Sequence, residues 1–191
     1  MVIYSHQVNG DVRMDYRIEA KEAWTVAGYA KEISKVEGKE DFFGISRFWS
    51  GLTEEEINQL MSVTDGTIQG LLGVSDSNQE KQERFNYLIA TRKSDKRTAA
   101  SSLELIQIPK SDWAIVECVG AISAGVTALD DKQSVKPNAL MQLKVKTSVP
   151  WEMGGSIENT QMPRIEFYPL GDMTAEEYKC ELWIPIKTEK R

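Results

Sequence analysis

Strand and helix patterns alternate along the whole sequence, and this order constrains the fold more than any single residue does. Residues 22–29 are rich in aromatic and β-branched side chains, which predicts a strand followed by a charged connection at residues 32–41. Residues 42–52 carry apolar side chains at helical spacing, which predicts an amphipathic helix. Residues 67–76 and 84–93 then predict a hairpin around a polar loop. The first cycle is therefore strand–helix–strand–strand.

The same order of elements returns in the second half of the sequence. Residues 102–120 predict two strands that are broken at Pro109, because proline cannot donate a hydrogen bond to a neighbouring strand. Pro137 is placed to occupy the first turn of a short helix. Residues 163–171 and 178–187 predict a closing hairpin. We therefore expect an α+β fold in which duplicated βαββ units form an antiparallel sheet with two main helices on one side.

Length and local signals refine this expectation. Thr53 followed by Glu56 is a capping-box signature, which predicts that a second short helix begins there. The chain has 191 residues and no long Pro- or Ser-rich linker, so we expect a single domain over residues 1–191. A chain of this length buries enough apolar surface to fold without disulfides or a metal.

The composition excludes several classes of protein. The single histidine, His6, excludes multi-histidine metal centres and leaves histidine-based triads to that residue alone, so we expect no metal and no cofactor. The net charge of -6 is opposite to the basic balance of a generic nucleic-acid binder. No apolar run is long enough for a membrane span and no signal peptide is visible, so we expect a cytoplasmic protein that binds neither nucleic acid nor membrane.

Strand alternation places a carboxylate among aromatic residues near the end of the chain. Side chains two positions apart in a strand share a face, so Glu181 and Trp183 lie on one face of the last strand. By the same rule Phe85 and Tyr87 share a face of their own strand, and Trp113 belongs to a third strand. If these strands form one sheet, we expect one concave face to gather Phe85, Tyr87, Trp113 and Trp183 around Glu181.

Two interpretations of Glu181 remain open at this point. An outward-facing position on a half-exposed strand is usual for glutamate, and the sequence alone favours it. A carboxylate enclosed by aromatic side chains would instead suit a lipophilic cation, which ring faces attract and the carboxylate neutralises. Trp49 belongs either to a core stripe or to a pocket wall. The sequence does not give the distance between Glu166 and Glu181, which decides whether they form a glycosidase-type pair.

Stretches between about residues 14 and 187 resemble the GyrI-like, or AraC-type, effector-binding domain family, whose members bind small molecules. They read MDYRIEAKEAWTVAGYA, FWSGL, LLGVSDSN, FNYLIATRKSD, ELIQIPKSDWAIVECVG and MPRIEFYPLGDMTAEEYKCELWIPIK. The resemblance implies a duplicated βαββ fold with a central ligand cleft, an aromatic pocket and one glutamate near its floor. That glutamate falls on Glu181, and the family's aromatic positions fall on Tyr87, Trp113 and Trp183.

The resemblance also shows two departures. The family's W-x-P-x-x-x-Y-E stretch corresponds to residues 151–158, which keep Trp151 and Glu158 but have Ile157 in place of the tyrosine. Residues 121–147 match the family's second helix poorly, so we expect a pocket rim that is individual to this protein. The candidate ligand-binding residues are Glu181, Trp183, Tyr87, Trp113, Phe85, Trp49, Trp151 and Tyr168.

The resemblance implies three classes of function. The first is an effector or drug sensor, free-standing or derived from a transcription regulator, that binds bulky hydrophobic and often cationic molecules. Residues 1–13 would then be a leader or linker remnant, with no DNA-binding domain in this chain. The second is a hydrolase that opens cyclopropane rings of DNA-alkylating compounds, with Glu181 as acid/base and Tyr87 assisting. The third is a topoisomerase inhibitor, which the net charge permits but does not favour.

Overall fold

The computed structural model describes residues 3–8, 12–76, 83–122, 139–147, 152–153 and 156–188. In these ranges the chain forms twelve strands and three helices. The strands are β1 (Ile3–Val8), β2 (Val12–Lys21), β3 (Trp24–Val36), β4 (Lys39–Glu40), β5 (Gly70–Ser75), β6 (Arg84–Arg92), β7 (Glu104–Ile108), β8 (Ser111–Val119), β9 (Glu152–Met153), β10 (Ser156–Glu158), β11 (Arg164–Pro169) and β12 (Lys179–Thr188). The helices are α1 (Phe42–Ser50), α2 (Glu54–Val63) and α3 (Ala139–Lys146).

These strands form one antiparallel sheet with a duplicated arrangement. Its main path runs β1-β2-β8-β12-β11-β5-β6-β3-β4, while β7 pairs with β3, and β10 pairs with β12 and β9. At the centre β11 pairs with β5, with Glu166 opposite Gly73. On one side β12 and β8 follow β11, and on the other side β6 and β3 follow β5. The α+β fold with duplicated units, expected from the sequence, is confirmed.

The first long strand extends further than the sequence predicts. The expected charged connection at residues 32–41 is wrong over most of its length, because β3 continues to Val36 and β4 follows at Lys39–Glu40. Ile33 is buried between the exposed Glu32 and Ser34, as in a strand with one solvated face. Because this half-exposed stretch has few apolar residues, its composition is that of a loop, and the sequence predicts no strand there.

The N-terminal residues also belong to the sheet. Within residues 1–13, for which the sequence predicts a leader or linker remnant, residues 3–8 form β1, which pairs with β2 from Ile3 opposite Arg17 to Val8 opposite Val12. Strand β2 continues the sheet by pairing with β8. In the structure residues 3–8 and 12–21 are therefore paired strands at one edge of the sheet.

Helices α1, α2 and α3 cover one side of the sheet, which is called the helix face below. Leu60 of α2 packs with Tyr87 and Ile89 of β6, and Leu143 of α3 packs with Leu182 of β12. A third core cluster, on the opposite face, contains Trp24, Trp113 and Trp183. None of the helices in the described ranges is long and apolar enough to cross a membrane.

Helix α2 begins at the predicted capping box. The Thr53 hydroxyl accepts a hydrogen bond from the Glu56 backbone N–H at 3.2 Å, and the Thr53 backbone N–H donates to the Glu56 carboxylate at 2.8 Å. These two bonds satisfy backbone and side-chain groups that an uncapped helix leaves to water. The helix start is thereby fixed by sequence neighbours, which is why the sequence predicts it to the residue.

Replacing Thr53 by alanine removes the acceptor for the Glu56 N–H. We expect Thr53→Ala to lower the free energy of unfolding by about 1 kcal/mol, and Thr53→Ser to lower it much less. Urea denaturation followed by circular dichroism measures both. Equal midpoints for the two variants would contradict a capping role for the hydroxyl.

Candidate functional site

The centre of the helix face carries a carboxylate, Glu166, that is only 2% exposed. Glu166 lies on β11, opposite Gly73 of β5 and Leu182 of β12. Its neighbours Ile165 and Phe167 belong to the cluster on the opposite face. Alternation along β11 therefore places the Glu166 side chain beneath the helices.

Three side chains donate hydrogen bonds to this carboxylate. The hydroxyls of Tyr87 and Tyr168 each donate to Glu166 Oε2 at 2.6 Å. The Lys144 ammonium donates to Oε1. The Trp49 indole Nε1 in turn donates to the Tyr87 hydroxyl oxygen at 3.0 Å. A buried carboxylate without such donors would cost several kcal/mol, so this set of contacts is what stabilises the buried position.

Lys144 of α3 lies between two carboxylates. Its ammonium forms ion pairs with Glu166 and with Glu40 at the end of β4, and its side chain is only 7% exposed. The Ser75 hydroxyl donates to Glu40 Oε1 at 2.6 Å. The Lys144 Nζ also lies 5.5 Å from the centre of the Phe42 ring, a distance at which the ring quadrupole attracts a cation. The arrangement holds one positive charge between two acids and an aromatic face.

Aromatic rings from α1 cover this polar centre. The rings of Trp49 and Tyr168 pack edge to face with centroids 4.8 Å apart. Phe48 packs edge to face against Tyr87 with centroids 6.4 Å apart. The buried polar groups are thus enclosed by rings, which resembles the enclosure expected for a lipophilic-cation site. We define the Glu166 site as Glu40, Lys144, Glu166, Phe42, Trp49, Tyr87 and Tyr168.

Gly73 gives the Glu166 site the room that it needs on the sheet. A Cβ added to Gly73 would lie 2.1 Å from the Tyr87 hydroxyl oxygen and 2.6 Å from Glu166 Oε2. Both distances are far inside van der Waals contact, so no larger residue fits while Tyr87 donates to Glu166. Gly73, in the stretch LLGVS, is therefore required because the hydrogen bond between Tyr87 and Glu166 packs directly against its backbone.

Burial and neighbouring charges shift the pKa values of the donors. Desolvation, and then the adjacent Glu166 charge, raise the pKa of both Tyr87 and Tyr168 well above the ordinary tyrosine value. Burial alone would lower the pKa of Lys144, but Glu166 and Glu40 outweigh it and the pKa lies above the ordinary lysine value. Both tyrosines therefore remain neutral donors and Lys144 remains a cation at neutral pH.

The structure places Glu181 away from the Glu166 site. Its carboxylate accepts hydrogen bonds from the Arg17 guanidinium at 2.7 Å and from the Trp183 indole Nε1 at 2.6 Å. Its side chain is 18% exposed. Trp183 and Trp113 pack with centroids 6.4 Å apart, and the Lys21 Nζ lies 4.2 Å from the Trp183 ring centre. The structure thus brings Glu181, Trp183 and Trp113 together on the face opposite the helices.

The expected gathering of Phe85 and Tyr87 around Glu181 is wrong. Trp183 is opposite Ile165, Ile165 is opposite Val74 and Val74 is opposite Leu88, so these residues share one face. Tyr87 is adjacent to Leu88 and points to the other face. The expectation counted alternation within each strand correctly but had no register to relate one strand to the next.

The remaining candidate residues divide between the two faces. Tyr168 and Trp49 join Tyr87 at the Glu166 site. Phe85 is buried on the helix face and borders a cavity of about 500 Å³, whose other lining residues are Glu32, Asp76, Glu83, Arg84 and Asn86. Trp151 lies outside the described residues. Glu166 and Glu181 point to opposite faces, because Glu166 is opposite Leu182, so they do not form a pair across one substrate.

Sequence reasoning missed Glu166 as the buried carboxylate, together with Glu40 and Lys144. Alternation in PRIEFYPLG, applied as it was to the last strand, would have placed Glu166 and Tyr168 on one face. No local pattern marks Glu40 or Lys144, which reach the site from β4 and α3. In the described ranges no group of three or more His, Cys, Asp or Glu residues is arranged to hold a metal ion.

Comparison with known families agrees with this architecture. The profile of the integron-associated effector-binding proteins, named Cass2, matches residues 17–186. The chain belongs to this family of effector-binding proteins. The effector-binding resemblance drawn from the sequence is thereby confirmed. No curated protein matches the sequence significantly.

Solved structures share the fold at low sequence identity. SAV2435 bound to tetraphenylphosphonium is 22% identical with a TM-score of 0.64, and the match covers 91% of this chain and 94% of that one. A putative transcription regulation protein from Staphylococcus aureus has the same identity and TM-score, with 91% and 99% covered. An integron cassette protein from Vibrio cholerae is 9% identical with a TM-score of 0.51, with 97% and 99% covered. At such identities the likeness shows the fold alone.

The packing at Gly73 can be tested with a double-mutant cycle. We expect Gly73→Ala to lower the free energy of unfolding by about 1–3 kcal/mol, because the new methyl group collides with the Tyr87 hydroxyl. In the Tyr87→Phe background the same change should cost less, since the hydroxyl is absent. Urea denaturation of the four proteins measures the coupling. Strictly additive losses would contradict the contact.

The raised tyrosine pKa values predict a loss of stability in alkali. The folded protein keeps the Tyr87 and Tyr168 protons at a pH where the unfolded chain loses them, so their contribution is full below about pH 10 and falls as pH rises above it. Urea midpoints measured between about pH 9 and 11.5 should therefore decrease with pH. The decrease should be shallower for Tyr168→Phe. Identical slopes for the two proteins would contradict the assignment.

Proposed function

We propose that this protein binds lipophilic organic cations, with the Glu166 carboxylate as the counter-charge and the surrounding rings as the walls of the pocket. One observation carries the proposal. The Glu166 site already holds a cation, the Lys144 ammonium, between Glu166, Glu40 and the Phe42 ring. A position that stabilises one buried positive charge offers the same attraction to a cation that arrives from solution.

The cost of the site supports a function beyond stability. Replacing a buried ion pair by apolar residues of similar volume is often neutral or stabilising, so such pairs are weak devices for holding a fold together. The Glu166 site combines two acids, a lysine and two tyrosine hydroxyls in the centre of an apolar face. Buried ionisable groups with perturbed pKa values concentrate at functional sites.

The comparisons support the same ligand class. The chain belongs to a family of effector-binding proteins, and SAV2435, which shares the fold, has been solved with tetraphenylphosphonium. Tetraphenylphosphonium is a bulky aromatic monocation, which suits a carboxylate enclosed by rings. We therefore choose tetraphenylphosphonium as the first probe. In this proposal the protein acts as an effector or drug sensor.

Glu166 suits the counter-charge role better than Glu181 does. The Glu181 side chain is 18% exposed and is paired with Arg17, which is itself in contact with solvent. Glu166 is 2% exposed, so a charge beside it interacts with little screening from water. The cyclopropane hydrolase stays a prediction, because no contact in the described part of the chain favours turnover over binding.

Isosteric variants of the two glutamates test the assignment. We expect Glu166→Gln to weaken tetraphenylphosphonium binding by about 1–3 kcal/mol, or roughly 5- to 150-fold in Kd, because it removes the counter-charge and keeps the shape. Binding of the neutral triphenylphosphine oxide should change little. Isothermal titration calorimetry measures both ligands, and circular dichroism confirms that each variant is folded.

Glu181→Gln is the matched comparison. It removes a carboxylate from the other face of the sheet, away from the Glu166 site, so we expect Kd for tetraphenylphosphonium to change less than about threefold. A large loss in Glu181→Gln with none in Glu166→Gln would transfer the counter-charge role to Glu181. Equal losses for charged and neutral ligands in Glu166→Gln would remove the counter-charge role altogether.

A further inference from the structure

We infer that Lys144 is a tethered cation that competes with the ligand for Glu166 and so sets the affinity and charge selectivity of the site. This inference rests on the proposed function, cation binding at Glu166. Its basis is the position of the Lys144 Nζ, which lies where the carboxylates of Glu40 and Glu166 and the ring of Phe42 converge. These groups together mark the point at which a positive charge is most stabilised.

The other approaches to Glu166 are already occupied. Oε2 accepts the hydroxyl hydrogens of both Tyr87 and Tyr168. Tyr87 is held in turn by the Trp49 indole and by the close fit of its hydroxyl over Gly73. Tyr87 lies on β6 and Tyr168 on β11 itself, and neither can withdraw without breaking its own ring packing. A cation therefore reaches the carboxylate on the Oε1 side, where Lys144 now lies.

Lys144 can leave this position without unfolding its helix. Leu140 and Leu143 anchor α3 in the core of the helix face, and the Arg164 guanidinium donates to the Thr147 carbonyl oxygen at 2.7 Å just beyond the end of the helix. The anchors of α3 are therefore independent of the ammonium. The four-carbon stem of lysine allows its head group to move while the backbone stays in place.

Displacement by competition has a consequence for selectivity. The apparent affinity of a ligand is reduced by the fraction of molecules in which its site is free, and Lys144 keeps that fraction low. A cationic ligand restores the ion pair with Glu166 that Lys144 loses. A neutral or anionic ligand restores nothing and leaves buried carboxylates without a partner. Lys144 thus favours cations over other lipophilic molecules.

Substitution of Lys144 tests the competition directly. We expect Lys144→Met, which keeps an unbranched side chain one atom shorter and removes the charge, to lower Kd for tetraphenylphosphonium about tenfold or more. Lys144→Arg keeps a competing cation and should give no gain. Isothermal titration calorimetry measures both variants beside the unsubstituted protein. An unchanged or weaker affinity for Lys144→Met, with binding retained by the unsubstituted protein, would overturn the inference.

Chemical labelling of the unsubstituted protein gives a second test, which holds even if Lys144→Met fails to fold. Without ligand, Lys144 should resist acylation because it is ion-paired and only 7% exposed. With saturating tetraphenylphosphonium its labelling, measured by mass spectrometry, should rise severalfold. Lys110, whose side chain is 68% exposed, should label equally in both states.

Failure of the Lys144 inference and failure of the proposed cation binding give different experimental results. Binding of tetraphenylphosphonium with Lys144 still protected would overturn the inference and leave the proposed function standing. Absence of binding by the unsubstituted protein and by folded Lys144→Met would overturn both. Binding by Lys144→Met alone would support the inference, since it would show that the native lysine blocks the site.

Discussion

The charged carboxylate of Glu166 at the centre of the helix face is the constraint on which the rest of the site depends. An ion in that position has lost its water and must recover the equivalent interaction from the protein. Tyr87, Tyr168 and Lys144 supply it from three elements, and Gly73 leaves the space in which Tyr87 reaches the carboxylate. The need to stabilise the buried Glu166 charge therefore explains why each of these residues is present.

The duplicated sheet accounts for the position of that charge. The two βαββ units meet where β5 pairs with β11, and this seam lies near the middle of the main path of the sheet. Gly73 and Glu166 face each other across the seam. One unit contributes the smallest residue and the other contributes a carboxylate, so the duplicated framework produces an asymmetric site. Helices from both units then cover the seam from the same side.

The sequence predicts those features that depend on near neighbours. Three such features depend only on residues a few positions apart: the capping box at Thr53, the strand break at Pro109 and the closing hairpin. The structure contains each of them. The grouping around Glu181 failed because it needed the register between β6, β5, β11 and β12. Lys144 and Glu40 lie beyond any local rule, since 104 positions of sequence separate two residues whose charged groups meet in space.

The two glutamates also show how burial differs between two carboxylates that both lie beside aromatic rings and cations. Glu181 beside Trp183 has the composition of a cation site, and the structure fills it with cations: Arg17 pairs with the carboxylate and Lys21 lies over the indole ring. The Arg17 and Lys21 side chains are 21% and 23% exposed, so water can replace either contact at little cost. At the Glu166 site the Lys144 and Glu166 side chains are only 7% and 2% exposed, so water screens their ion pair much less. Burial, and not the identity of the neighbouring residues, therefore separates the two carboxylates, whose side chains are 2% exposed at Glu166 and 18% exposed at Glu181.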